Sequence, residues 1–204
     1  EVVLKNALIE FNEIAEFEPK FFQPKFKEIF VALSPIVLKE DFADDLIRQQ
    51  PLDWVVMIVE RCPAVVQKDP DTLKAVFELV FKLMVDIDED IEQEWTHPKE
   101  GFQEETPGED GTQTDNLHFG KSCIDNLVSA VGDQICLPHL GVIVQTLMAN
   151  ETDWRYKNAA LMAFSQIGEY VENIDLIAPM VGQVVEHLRH QNPKVRYAAV
   201  HCVG

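Results

Sequence analysis

The sequence predicts an all-α chain built from paired helices, and three observations carry that prediction. Apolar residues recur at three- and four-residue steps through most of the chain, the period of an amphipathic helix. No segment alternates apolar and polar residues with the period of two that a half-buried strand requires. The C-terminal part also repeats itself about every 40 residues.

The elements follow in order. Val3, Leu4, Ala7, Leu8, Phe11, Ile14 and Ala15 form one buried stripe that stops around Glu18-Pro19. Phe22, Phe26, Ile29, Phe30, Leu33 and Val37 mark a second helix after Pro24. A third lies between Asp44 and Cys62, with Pro51 in its first turns or starting it afresh, since a proline deep inside would cost about 3 kcal/mol. From Trp54 to Val59 it is apolar nearly all round, so neighbours should cover it on more than one side. Asp69-Pro70-Asp71 opens the next helix, with proline and acids at the end the dipole favours. Leu73, Val76, Phe77, Val80, Phe81 and Met84 are its stripe; Phe77 and Phe81, like Phe22 and Phe26, read as core. Helical pattern resumes with Leu117, Ile124, Leu127, Val128 and Val131, followed by helices at about Pro138–Met148, Asp153–Tyr170, Ile174–His190 and from Pro193 onward.

Pro138, Ile143, Val144 and Leu147 match Pro179, Val184, Val185 and Leu188 at a shift of 41. Tyr156, Lys157, Ala160 and Ala163 match Val195, Arg196, Ala199 and Cys202 at a shift of 39. Two helices per repeat of about 40 residues is the signature of a HEAT-type α-solenoid. The alanines let neighbouring helices approach, while Lys157 and Arg196 stand at the wrong end for the helix dipole. They need a carboxylate or loop carbonyl nearby, for which Asp153 and Asn192 are candidates. The expected organisation is one solenoid over 1–204. Residues 1–17 are a second helix, 19–62 a repeat, 70–135 a repeat with an insertion at 86–115, 137–170 a repeat, and 174–204 a truncated one. The first residues are already helical and no initiator Met precedes them, so an internal piece of a longer protein is expected.

That insertion is the chain's electrostatic centre. It holds twelve acidic residues against one base, Lys99, which makes 11 of the 18 net negative charges. Three glycines, two prolines and few apolar residues leave it too little surface to bury. A pI near 4.6 argues against nucleic acid and anionic membranes, and favours basic partners. No apolar run is long enough to span a bilayer. The cysteines Cys62, Cys123, Cys136 and Cys202 are widely spaced and read as buried free thiols. Asp86-x-Asp88-x-Asp90 lacks the glycine and glutamate of a calcium loop, since Ile91 and His97 stand in those places. His118, Cys123, Cys136 and His139 lack the paired spacing of a structural zinc site. No catalytic motif, cofactor loop or metal signature is present, so an enzyme is not expected. The residues alone leave the insertion as either a binding loop or a solvated spacer.

The segment from Asn150-Glu151-Thr152-Asp153-Trp154-Arg155-Tyr156-Lys157 through Ala163 resembles the importin-β (karyopherin-β) nuclear transport receptors, most closely their importin beta-3 branch. Asn192-Pro193-Lys194-Val195-Arg196-Tyr197-Ala198-Ala199 is similar to the repeat that follows there, and the acidic run closing on Trp95 matches an acidic loop interrupting one repeat. The resemblance implies a right-handed superhelix of antiparallel helix pairs that shuttles between cytoplasm and nucleus. Its first helices would lie outside, meeting phenylalanine-glycine nucleoporins, and its second helices inside, on an acidic wall for basic nuclear localisation signals or Ran-GTP. Carried over residue by residue, the loop's cargo or Ran contacts would be Asp86, Asp88, Glu89, Asp90, Glu92, Glu94 and Trp95. The competing class is a HEAT scaffold for a stable complex, which would be indifferent to the nucleotide on Ran.

Overall fold

The computed structural model describes residues 1–87, 115–171 and 174–203. Among these, every regular element is helical: α1 (Val2–Phe17), α2 (Pro19–Phe22), a single 3-10 turn (Gln23–Lys25), α3 (Phe26–Val37), α4 (Leu46–Arg61), α5 (Ala64–Gln67), α6 (Pro70–Val85), α7 (Asn116–Val131), α8 (Asp133–Met148), α9 (Trp154–Gly168), α10 (Ile174–His187) and α11 (Pro193–His201). The longer helices stand in two rows. One row is α1, α4, α7, α9 and α11; the other is α3, α6, α8 and α10. Each helix of the second row pairs with the one that follows it in sequence: α3 with α4, α6 with α7, α8 with α9, and α10 with α11. Neighbours in the row containing α4 pack closely along their lengths, whereas α3, α6 and α8 touch one another sparsely. A stack held tighter on one wall bends toward that wall, so α1, α4, α7, α9 and α11 line the inside. This is the HEAT-type solenoid the period predicts.

Small residues make the tight wall possible. Ala159, Ala160, Ala163, Ala198 and Ala199 are completely buried where α9 meets its inner neighbours. Further up the stack the wall is sealed by aromatics. Trp54 of α4 is fully buried, stacked on Phe11 at 5.8 Å and Phe26 at 5.6 Å between ring centres, with Phe22 edge-on at 6.0 Å. One tryptophan thus ties α1, α2 and α3 to α4. Such pairs contribute about 0.5–1.5 kcal/mol each beyond the area they bury.

The helix starts are set by short polar residues. Asp69 caps α6 through Thr72, and the same carboxylate receives Lys27 at 2.7 Å from α3. Those bonds pull its pKa down to about 2. Asp115, Asp153 and Asn192 cap α7, α9 and α11 by accepting backbone N–H groups. Asp153 and Asn192 therefore serve as caps rather than as counter-groups for the misplaced bases. Lys157 turns instead to the Met148 carbonyl at 3.2 Å and Glu151 at 3.3 Å, and Arg196 to the carbonyls of His190 and Gln191.

Helix α8 begins at Asp133, five residues before the Pro138 start the sequence suggested. Gly132, with φ of 103°, reverses the chain directly after α7, and Asp133 supplies an acid for the new first turn. Pro138 then removes only one early hydrogen bond, while Cys136, Leu140, Ile143 and Val144 are buried by the same helix.

Gly120 marks a close approach between α6 and α7, because a Cβ there would fall within the side chain of fully buried Met84. Gly120→Ala should destabilise the chain by about 1–3 kcal/mol despite its better helix propensity. Urea denaturation checks this; adding Met84→Ala should recover part of the loss, and an unchanged midpoint for the single variant would contradict the packing.

Candidate functional site

Helix α4 is enclosed on three sides by α1, α3 and α7. Ile47, Leu52, Trp54, Val55, Ile58 and Val59 are buried, and one stripe remains open to the hollow: Gln50, Asp53, Met57 and Glu60. Asp53 accepts from Gln50 Nε2 at 3.2 Å, and Gln50 is itself held by Asn12 of α1 at 3.0 Å. Asp53 touches solvent, but the surrounding wall displaces bulk water and pushes its pKa up to about 6. The stripe of α7 is polar and largely neutral, with Ser122, Asn126 and Ser129 exposed. Asp125 beside them accepts from the Tyr170 hydroxyl, which also lies 2.9 Å from Ser129 Oγ. The arrangement offers two open carboxylates one above the other on α4, then amide and hydroxyl groups along the neighbouring helix.

Of the acidic-loop residues expected to bind, Asp86 is described, and Asp88, Glu89, Asp90, Glu92, Glu94 and Trp95 lie outside the described residues. The two roots of the insertion meet on α4. Arg48, only 3% exposed, donates Nε to the Val37 carbonyl at 3.0 Å, pairs with Asp45 at 3.5 Å, and holds Asp86 at the end of α6. Gln49 donates to Asn116, the first residue of α7, at 3.1 Å, with both side chains buried. One dipeptide therefore links the ends of α3 and α6 to the start of α7. It places both roots at the edge where the inner helices begin. Asp86 is engaged in this node while its side chain keeps 35% exposure.

On the outer face an open groove of about 510 Å³ runs between α6 and α8. Phe81, Val85, Val142, Ile143 and Leu147 line it, with Tyr156 beside them and Lys74, Glu78, Lys82 and Thr146 at its margins. Val142 is 58% exposed. Among the described residues no group of three metal-ligating side chains comes together, and no helix is long and apolar enough to cross a membrane.

The importin repeat family matches residues 40–138, which span α4, the insertion and α7. The chain is 23% identical over 204 residues to importin subunit beta-3 of Saccharomyces cerevisiae, covering 94% of this chain and 17% of the yeast protein. Its fold matches the karyopherin Kap121p bound to the extreme C-terminus of the protein phosphatase Cdc14p, with a TM-score of 0.82 and 19% identity over 98% of this chain. Kap121p bound to RanGTP matches at 0.79 and 18%, again over 98% of this chain. The fold is that of the importin-β solenoids, and residues 40–138 match their importin repeat. The chain spans 17% of the length of the yeast protein and 19% of the Kap121p chain.

Sequence reasoning points to the insertion for binding and does not single out Asp53 and Glu60. The signal was present: polar residues at 50, 53 and 60 interrupt an otherwise apolar helix at helical spacing. The Arg48 node could not be found that way, because its partners lie 11 and 38 residues away. Removing Arg48 leaves the Val37 carbonyl and Asp86 without it. Arg48→Ala should cost about 2–3 kcal/mol in urea denaturation followed by circular dichroism. A loss below about 0.5 kcal/mol, the size of an exposed pair, would show that the node carries no load.

Proposed function

We propose that this chain is part of a nuclear import receptor and that its inner wall receives a basic localisation signal. The observation that supports this best is the open pair Asp53 and Glu60 in the hollow of an importin-family stack. Seven residues of helix separate them, a rise of about 10 Å. An extended peptide advances about 3.3 Å per residue, so two cations three positions apart match that span. Ionised Asp53 sits in an unfavourable setting that a bound lysine or arginine would relieve. Asn126 and Ser122 on α7 would hydrogen-bond the guest's backbone.

In this reading the insertion draws basic cargo or Ran-GTP toward the same edge, with Asp88, Glu89, Asp90, Glu92, Glu94 and Trp95 making contacts and Asp86 fixing the root. The groove between α6 and α8 takes phenylalanine side chains of nucleoporin phenylalanine-glycine segments, since its apolar floor lies on the outward face. Kap121p has been captured with RanGTP, and release of cargo by Ran-GTP inside the nucleus completes the cycle. The protein acts by non-covalent carriage between cytoplasm and nucleus.

A fluorescent peptide with two lysines three positions apart tests the reading by anisotropy. Asp53→Lys with Glu60→Lys should weaken its binding by about tenfold or more, through lost attraction and new repulsion. Neutralising Asp88, Glu89 and Asp90 should weaken binding less and flatten its salt dependence. Unchanged affinity in the α4 variant would remove the inner stripe from the cargo site; an unchanged salt slope in the other would remove the insertion.

A further inference from the structure

Helix α1 packs along α4 through Leu8, Phe11 and Ala15, and Asn12 interrupts that apolar face. It lies one turn from Leu8 and one from Ala15. Its Nδ2 donates to the main-chain carbonyl of Gln50 at 3.0 Å and to Gln50 Oε1, also at 3.0 Å. Its Oδ1 is buried and meets no donor among the described residues. A buried acceptor left unpaired lowers stability, and a leucine of similar size would extend the apolar face instead. Asparagine at this place does not serve packing.

The pattern of donors decides what Gln50 shows to the inner wall. A main-chain carbonyl only accepts, so the Asn12 amide must turn its NH2 toward α4. That NH2 requires an acceptor, which makes Oε1 the Gln50 atom facing α1. Nε2 is left on the other side of the amide and donates to Asp53 Oδ2 at 3.2 Å. Without Asn12 the Gln50 amide is free to rotate and present Oε1 to Asp53, a contact that suits only a protonated carboxyl. The direction matters because burial already lifts the pKa of Asp53 to about 6. Glu60 stands on the same stripe, and buried Cys123 of α7 feels both carboxylates. An N–H aimed at Asp53 works against burial by favouring the charged form.

We propose that Asn12 is a positioning residue for the inner stripe: acting through Gln50, it keeps Asp53 an acceptor for a basic guest, a role that rests on the stripe being the cargo site. The relay crosses the α1–α4 contact, so the charge displayed on α4 depends on how α1 is seated.

The test is a carboxyl-carbon NMR titration of Asp53 in the intact, peptide-free chain. Asn12→Leu should raise the midpoint by about half a pH unit or more. Gln50→Leu should raise it at least as far, and the double variant no further than Gln50→Leu alone, because both act along one path. At about pH 6, where a higher midpoint removes charge, Asn12→Leu should also weaken the basic peptide about twofold or more. Circular dichroism and urea denaturation check the fold of each variant. The proposal is overturned if folded Asn12→Leu titrates as the native chain does, or if the effects of the two substitutions add. The titration needs no guest, so it judges the relay apart from the cargo reading. That reading, and the guest with it, fails instead if Asp53→Lys with Glu60→Lys binds the peptide as the native chain does.

Discussion

The enclosure of α4 is the constraint on which the other features rest. Three helices cover it, and Trp54 locks α1, α2 and α3 to it through stacked rings. A helix covered on three sides has one stripe left for solvent, and whatever occupies that stripe becomes the inner wall of the stack. Here it is occupied by Gln50, Asp53, Met57 and Glu60. Packing thus decides where the charge is displayed, and the curvature that places those carboxylates in a hollow comes from the same close inner contacts.

The first turn of α4 serves a second purpose. Arg48 and Gln49 are buried polar groups that reach three helix ends: Val37, Asp86 and Asn116. Buried polar groups are tolerated when they are hydrogen-bonded, and a satisfied network specifies one arrangement among several of similar packing energy. In a repeat stack, where each unit contacts mainly its neighbours, such a node sets the angle of one joint. It also joins the end of α6 to the start of α7 across the 28 residues between Asp86 and Asp115 in sequence, beside the paired contact of those two helices. Charge is sorted by position: acids on the inner stripe and a mixed rim around the outer groove.

The fold was largely legible in the sequence because it depends on period. The stripes of α1, α3 and α6, the proline and acids opening α6, the all-round apolar run of α4 and the 40-residue repeat are local signals with local causes. What escaped notice depended on the third dimension. Pro138 looked like a helix start until Gly132 showed that the chain had already turned. Lys157 and Arg196 need a partner at the wrong end of the dipole, and it comes from Glu151 and backbone carbonyls, because Asp153 and Asn192 are engaged in capping. Asp86 read as one carboxylate among many, and only the fold reveals Arg48 beneath it. Asp53 and Glu60 looked ordinary because a sequence does not show which side of a helix its neighbours leave bare.

The account depends most on Asp53 facing a hollow that a cation can enter. A carboxyl-carbon NMR titration of the intact chain measures this directly. The fold raises the pKa of Asp53 above its unfolded value, so its contribution to stability is fully present below about pH 4 and is lost as pH rises through about 6. The free chain should therefore show Asp53 titrating near 6, and a saturating basic peptide should move the midpoint back toward the ordinary carboxylate range. A midpoint near 4 in the free chain, or one near 6 that the peptide leaves in place, would contradict it.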